Sequence, residues 1–137
     1  NCLILNEEYY QAEAFKERQD FESVLALNLK HVSQEMFQGV LNLKTVVMPE
    51  ADAIANGAFQ NSGLIKFFLP KVMRAGDSAF CGCQVKELNS NNFPILEQIQ
   101  SYAFSECPIS SVFLPNLTSA GAFGFSNCCQ MKHFSAP

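Results

Sequence analysis

The stretch Phe67-Phe68-Leu69-Pro70-Lys71-Val72-Met73-Arg74-Ala75-Gly76-Asp77-Ser78-Ala79-Phe80-Cys81-Gly82-Cys83 decides the fold, because its spacing recurs along the whole chain. Its Ala-Phe pair returns at Phe59 and Phe104, and the same position is Phe15, Phe37 and Phe125 in the remaining copies. Successive intervals are 22, 22, 21, 24 and 21 residues. Five residues before each Phe stands Tyr10, Val32, Ile54, Ala75, Ile99 or Ala120, and three before those Glu7, Leu29, Ala51, Val72, Leu96 or Leu117. A Pro precedes the latter by two in four copies, at Pro49, Pro70, Pro94 and Pro115. Three residues after the Phe come Arg18, Val40, Ser62, Cys83, Cys107 and Cys128. A fixed period of this length marks a repeat array whose units cannot bury their own apolar face and must stack.

The expected fold is therefore an α/β leucine-rich-repeat right-handed solenoid of about six coils of 21–24 residues. The whole of 1–137 reads as one domain, with repeats near 2–23, 24–45, 46–66, 67–87, 88–111 and 112–133, and as part of a longer chain. Val46-Val47-Met48, Phe67-Phe68-Leu69 and Val112-Phe113-Leu114 each run into a Pro and read as short strands. Stacked, they predict one parallel sheet on one side of the coil. The Ala-Phe segments predict short helical or 3-10 turns opposite. A parallel β-helix is the alternative, disfavoured by the single clear strand per unit.

Composition agrees with a packed domain. Hydrophobic residues make up 48% and charged residues 16%, far from the low-hydrophobicity signature of disorder. No apolar run approaches the ~20 residues that a bilayer span needs, so no membrane insertion is expected. The nine Lys and Arg are scattered and the net charge is −4, which argues against a nucleic-acid footprint. No secretory leader is expected within these 137 residues.

The repeat resembles the BspA-type (treponemal-type) leucine-rich repeat, whose units read like Leu-x-x-Ile-x-Leu-Pro-x-x-Leu-x-x-Ile-Gly-x-x-Ala-Phe-x-x-Cys. The copies carrying the resemblance are Phe68-Leu69-Pro70 with Ala75-Gly76 through Ala79-Phe80 to Cys83, and Phe93-Pro94 with Ile99 through Ala103-Phe104 to Cys107. It is sharp from about residue 44 onward and weak in the first two copies, which lack the Pro and the Cys. The resemblance implies a surface or secreted location and a role in adhesion or other protein–protein contacts. It brings no catalytic residue and no cofactor.

Period 2 along each strand sends its middle residue outward. That column reads Leu3, Leu25, Val47, Phe68, Asn89, Phe113 and Ser135, flanked by Thr45, Lys66, Glu87, Ser111 and His133. An outward stripe with two Phe is a candidate face for a protein partner, and the resemblance implies a host or extracellular one. Coverage by neighbouring loops, or the opposite strand phase, is the competing reading. The three surplus residues between Phe80 and Phe104 fall in Leu88-Asn89-Ser90-Asn91-Asn92-Phe93, beside the strand.

Phe15, Phe37, Phe59, Phe80, Phe104 and Phe125, with Cys83, Cys107 and Cys128, form the expected repeat core. The Cys ladder reads as buried small hydrophobes, with zinc or a disulfide as lesser alternatives and no metal site assigned. Asn116-Leu117-Thr118 matches a glycosylation sequon. No Ser or Cys has a base nearby in the repeat, so no enzyme activity is expected. A non-enzymatic binding or adhesion module is the leading functional expectation. A structural spacer, self-associating end to end or face to face, is the alternative.

Overall fold

The computed structural model describes residues 1–137 as a parallel β-solenoid of about six coils. The first strand of each coil forms, giving β1 (Cys2–Leu5), β2 (Ser23–Ala26), β4 (Thr45–Val47), β6 (Lys66–Phe68), β8 (Glu87–Leu88), β10 (Ser111–Phe113) and β12 (His133–Ser135). In β4, β6 and β10 it ends two residues before a Pro and is built largely of β-branched and aromatic residues. All of these first strands pair in parallel with a neighbouring coil.

Three features differ from the sequence reading. First, each coil after the first carries a second short strand: β3 (His31–Val32), β5 (Ala53–Ile54), β7 (Arg74–Ala75), β9 (Gln98–Ile99) and β11 (Ser119–Ala120). They form a continuous five-stranded parallel sheet. The sequence hid them because only two residues per coil take part, and two residues display no alternation.

Second, the Ala-Phe segment is not a helix of any kind. Each such segment holds two residues of positive φ four positions apart, for example Glu35 at 50° and Gly39 at 69°, or Ser78 at 54° and Gly82 at 71°. A right-handed helix cannot contain such residues. The segment instead folds as hydrogen-bonded turns, with Gln38 N–H donating to Glu35 O at 3.1 Å and Val40 N–H to Phe37 O at 3.4 Å. Alternate amides point to the next coil: Glu35 donates to Asn56 O at 3.0 Å, Phe37 to Ala58 O at 2.7 Å and Gly39 to Gln60 O at 2.9 Å. The same three rungs recur at Ser78, Phe80 and Gly82. The turns thus make a third hydrogen-bonded ladder, so each coil is tied to the next along three sides.

Third, the sheet before the Pro is not continuous. It divides into a four-stranded sheet, β1-β2-β4-β6, and a three-stranded one, β8-β10-β12.

One contiguous hydrophobic core runs through the coils. Val24, Val46, Phe67, Leu88 and Val112 face inward from the first sheet, and Val32, Ile54, Ala75 and Ile99 from the second. Phe37, Phe59, Phe80 and Phe104 are fully buried from the turns, Phe15 is nearly so, and Phe125 is half-buried in the last coil. Consecutive rings lie 4.9–5.8 Å apart and within 15° of parallel, a continuous aromatic stack.

Candidate binding face

The outward column of the first sheet follows from strand register. Leu25 pairs with Val47 and Val47 with Phe68, while Phe113 pairs with Ser135. Leu88 pairs with Val112, which sets Asn89 beside Phe113. Inward neighbours Val46, Met48, Leu69, Val112 and Leu114 are buried, whereas Phe68 is 44% and Phe113 53% exposed. Leu25, Val47 and Asn89 are half-buried, and Lys66, Glu87 and His133 are exposed at the column's edge. Leu3 does not belong to this column. It pairs with the inward Val24, and Ile4, 62% exposed, is the outward residue of β1. The first interval at the strand is one residue shorter than the interval at the Phe, and that slip reverses the face.

The column is interrupted at the division between β6 and β8. The rungs on either side are kept: Gln84 N–H donates to Leu64 O at 2.9 Å, and Leu69 N–H to Asn92 O at 3.3 Å. Between them four residues of one coil, 65–68, face seven of the next, 85–91. The three-residue surplus read from the sequence is therefore accommodated here, and it splits the sheet. Inside, the slots filled by aliphatic residues in other coils hold Phe67 and Phe93, whose rings meet at 4.8 Å. The other two ladders cross the same junction intact, through Arg74–Gln98 pairing and the Ser78, Phe80 and Gly82 rungs.

A cleft of about 520 Å³ opens at the division, lined by Ile65, Lys66, Phe67, Lys86, Glu87, Asn89, Asn91 and Asn92. The insert is braced by its own side chains. Asn89 N–H donates to Asn92 Oδ1 at 2.8 Å, Asn91 N–H to Asn89 Oδ1 at 2.9 Å, and Asn92 Nδ2 to Glu87 O at 3.0 Å. Neither Lys66 nor Lys86 has a carboxylate within 4 Å, although Glu87 lines the same cleft. Elsewhere Lys16, Arg18, Lys30, Lys44 and Lys71 all do, and Glu50 bridges Lys30 and Lys71 across coils.

Cys83, Cys107 and Cys128 follow the Ala-Phe turns, away from the first sheet, and are unsuited to chemistry. Cys83, Cys107 and Cys128 donate from Sγ to the carbonyls of Phe59, Phe80 and Phe104 in the preceding coil, at 3.0, 3.0 and 3.2 Å. Burial pushes the Cys83 thiol up to about 12, and burial raises Cys107 and Cys128 as well. A protonated thiol is a poor nucleophile and metal ligand. No group of three or more His, Cys, Asp or Glu is placed to hold a metal ion. No helix is long and apolar enough to cross a membrane. At the sequon, Asn116 Nδ2 already donates to Pro94 O at 2.7 Å.

Comparison with known proteins gives a consistent picture of the fold. The family model described as BspA type leucine rich repeat region matches in six copies, over residues 6–66 and 52–137. No curated protein matches the chain. Among solved structures, a leucine rich cell surface protein from Faecalibacterium prausnitzii A2-165 is similar, with a TM-score of 0.78 and 22% identity. The similarity covers 88% of this chain and 33% of that one, so the chain spans about a third of its length.

Proposed function

We propose, from the premise that the chain belongs to the BspA type leucine rich repeat family, that it is a non-enzymatic binding segment of a surface or secreted protein. It engages a protein partner through the outward column of the first sheet, centred on Phe68, Asn89 and Phe113. Leu25 and Val47 extend the column, and Lys66, Glu87 and His133 form its polar edge.

The observation that carries this reading is the pair of half-exposed Phe residues, Phe68 and Phe113, one on each part of the divided first sheet, with the inward neighbours Phe67, Leu69, Val112 and Leu114 buried. Large aromatic side chains held at low entropic cost beside a polar rim are the usual anchors of protein interfaces. The buried, protonated thiols support a structural rather than catalytic use of the cysteines. The cell-surface description of the similar Faecalibacterium protein supports a surface location.

The test compares the wild-type chain with the folded Phe68→Asp/Phe113→Asp variant as bait for extracellular proteins, followed by titration of each purified captured protein. A partner whose affinity falls about tenfold or more in the double variant is expected. Equal affinities for wild type and variant across all captured proteins overturn the reading.

A further inference from the structure

We propose that the cleft between β6 and β8 is a subsite for a short acidic peptide in extended conformation, belonging to the partner that docks on the first sheet. The inference rests on the reading of that sheet as the binding face, and it specifies the chemistry of the guest.

Three observations carry it. The division leaves β6 and β8 as edge strands facing each other without pairing. On β8 the Asn92 side chain already holds Glu87 O and Asn89 N–H, so the main-chain edge offered to an extended peptide is that of Phe67 on β6, with the Glu87 N–H opposite it. Asn92 bounds the cleft at one end, its carbonyl accepting from Leu69 N–H and its side-chain amide donating to Glu87 O, and so fixes the insert in place.

The size and polarity of the cleft define the guest further. Its volume of about 520 Å³ falls within the ordinary range of ligand sites. Only two of its eight lining residues are hydrophobic, so an apolar guest is disfavoured. Lys66 and Lys86 bring two ammonium groups against the single carboxylate of Glu87. The cleft is thus locally positive on a chain of net charge −4, and neither of its lysines is paired with a carboxylate, whereas Lys16, Arg18, Lys30, Lys44 and Lys71 are. Phe68 stands next to the lining residue Phe67 and Phe113 beside the lining residue Asn89, so apolar surface adjoins the cleft on both strands.

The test is titration of the 137-residue chain with a fluorescein-labelled, end-blocked tetraglutamate. Tetraglutamine, free glutarate and an oligoglucuronate serve as comparison ligands. Saturable one-site binding of tetraglutamate is expected, weakening with added salt and falling about tenfold or more in the Lys66→Gln/Lys86→Gln variant. Deleting Ser90 to Asn92, which shortens the insert to the length of the other coils, abolishes it. Tetraglutamine does not bind, and glutarate, lacking the main-chain amides, binds far more weakly. Unchanged tetraglutamate binding in the lysine variant overturns the proposal, as does glutarate binding equal to the peptide's. Tighter, competing binding of oligoglucuronate reassigns the cleft to acidic saccharides and overturns it too. If tetraglutamate fails to bind while Phe68→Asp/Phe113→Asp still loses the partner, the acidic guest is wrong and the face stands. If tetraglutamate binds while that variant keeps every partner, the face is wrong.

Discussion

The rings of Phe80 and Phe104 lie 4.9 Å apart with planes 5° from parallel, the closest contact in the Phe stack, although the longest sequence interval separates them. The surplus residues therefore leave the spine untouched and are expressed wholly at the first sheet. Phe80 also touches Phe59, Phe67 and Phe93 at 5.3, 5.3 and 5.8 Å. Phe80→Ala should cost about 3–5 kcal/mol, read as a lowered urea midpoint. Phe125→Ala, at a half-buried position, should cost less. Equal effects would contradict the spine as described.

Two glycines mark places where one coil lies directly on another. A Cβ at Gly63 would run into the Leu41 carbonyl oxygen, which side-chain motion cannot relieve. Gly63→Ala should therefore cost about 1–3 kcal/mol. Gly82 sits at φ +71°, where a Cβ would also strike the Asn61 amide, so Gly82→Ala should cost at least about 1 kcal/mol. Denaturation curves superimposable on wild type would refute the stacking of the turns.

The thiols give the fold a dependence on alkaline pH. The unfolded chain releases a thiol proton above its ordinary 9.0, whereas folded Cys83 holds its own up to about 12. Ionisation consequently favours the unfolded chain. This stabilisation is complete below about pH 9 and is lost as pH rises toward 12, by on the order of 1 kcal/mol per thiol at pH 10. Stability of the Cys83→Ala/Cys107→Ala variant should fall less steeply between pH 8 and 10 than that of wild type. Parallel curves would contradict the burial of these thiols. At about pH 8, exposed Cys2 and Cys129 should react with a thiol reagent, while Cys83 and Cys107 wait for unfolding.

Strand phase separates the binding face from the core. Phe68→Asp and Phe113→Asp should leave circular dichroism unchanged and shift stability by no more than about 1 kcal/mol together. Phe67→Asp, one residue from the first, places a charge in the core and should unfold the chain. If the outward pair unfolds it instead, those residues are core.

Much of this was legible in the sequence, and the rest was hidden for identifiable reasons. Phe80, Cys83 and Pro70 repeat at one spacing, so the stack of coils could be read off, and with it the outward residues from β2 onward; in β1 a one-residue slip puts Ile4 outward in place of Leu3. The Ala-Phe turn was misread because its positive-φ positions are filled by Glu35, Ser78, Tyr102 and Phe123 as readily as by Gly57. Those residues advertise no left-handed backbone, and small and apolar neighbours mimic a helical turn. The second sheet escaped because its strands are two residues long. The insert at Ser90 to Asn92 was visible as a lengthened interval. That it splits the sheet could not be seen, since a lengthened interval does not say which of the three ladders takes up the surplus.

The claim on which the functional reading depends most is that the first sheet is open between β6 and β8 while the other two ladders hold. Residue-resolved amide hydrogen exchange measures this directly. The amides of Phe67 and Glu87 should exchange far faster than those of Phe80 and Gly82, which are bonded to the next coil. Deleting Ser90 to Asn92 should bring Phe67 and Glu87 to the slow rate. Slow exchange at Phe67 and Glu87 in the intact chain, matching Phe80, would contradict the opening and with it the acidic-peptide subsite.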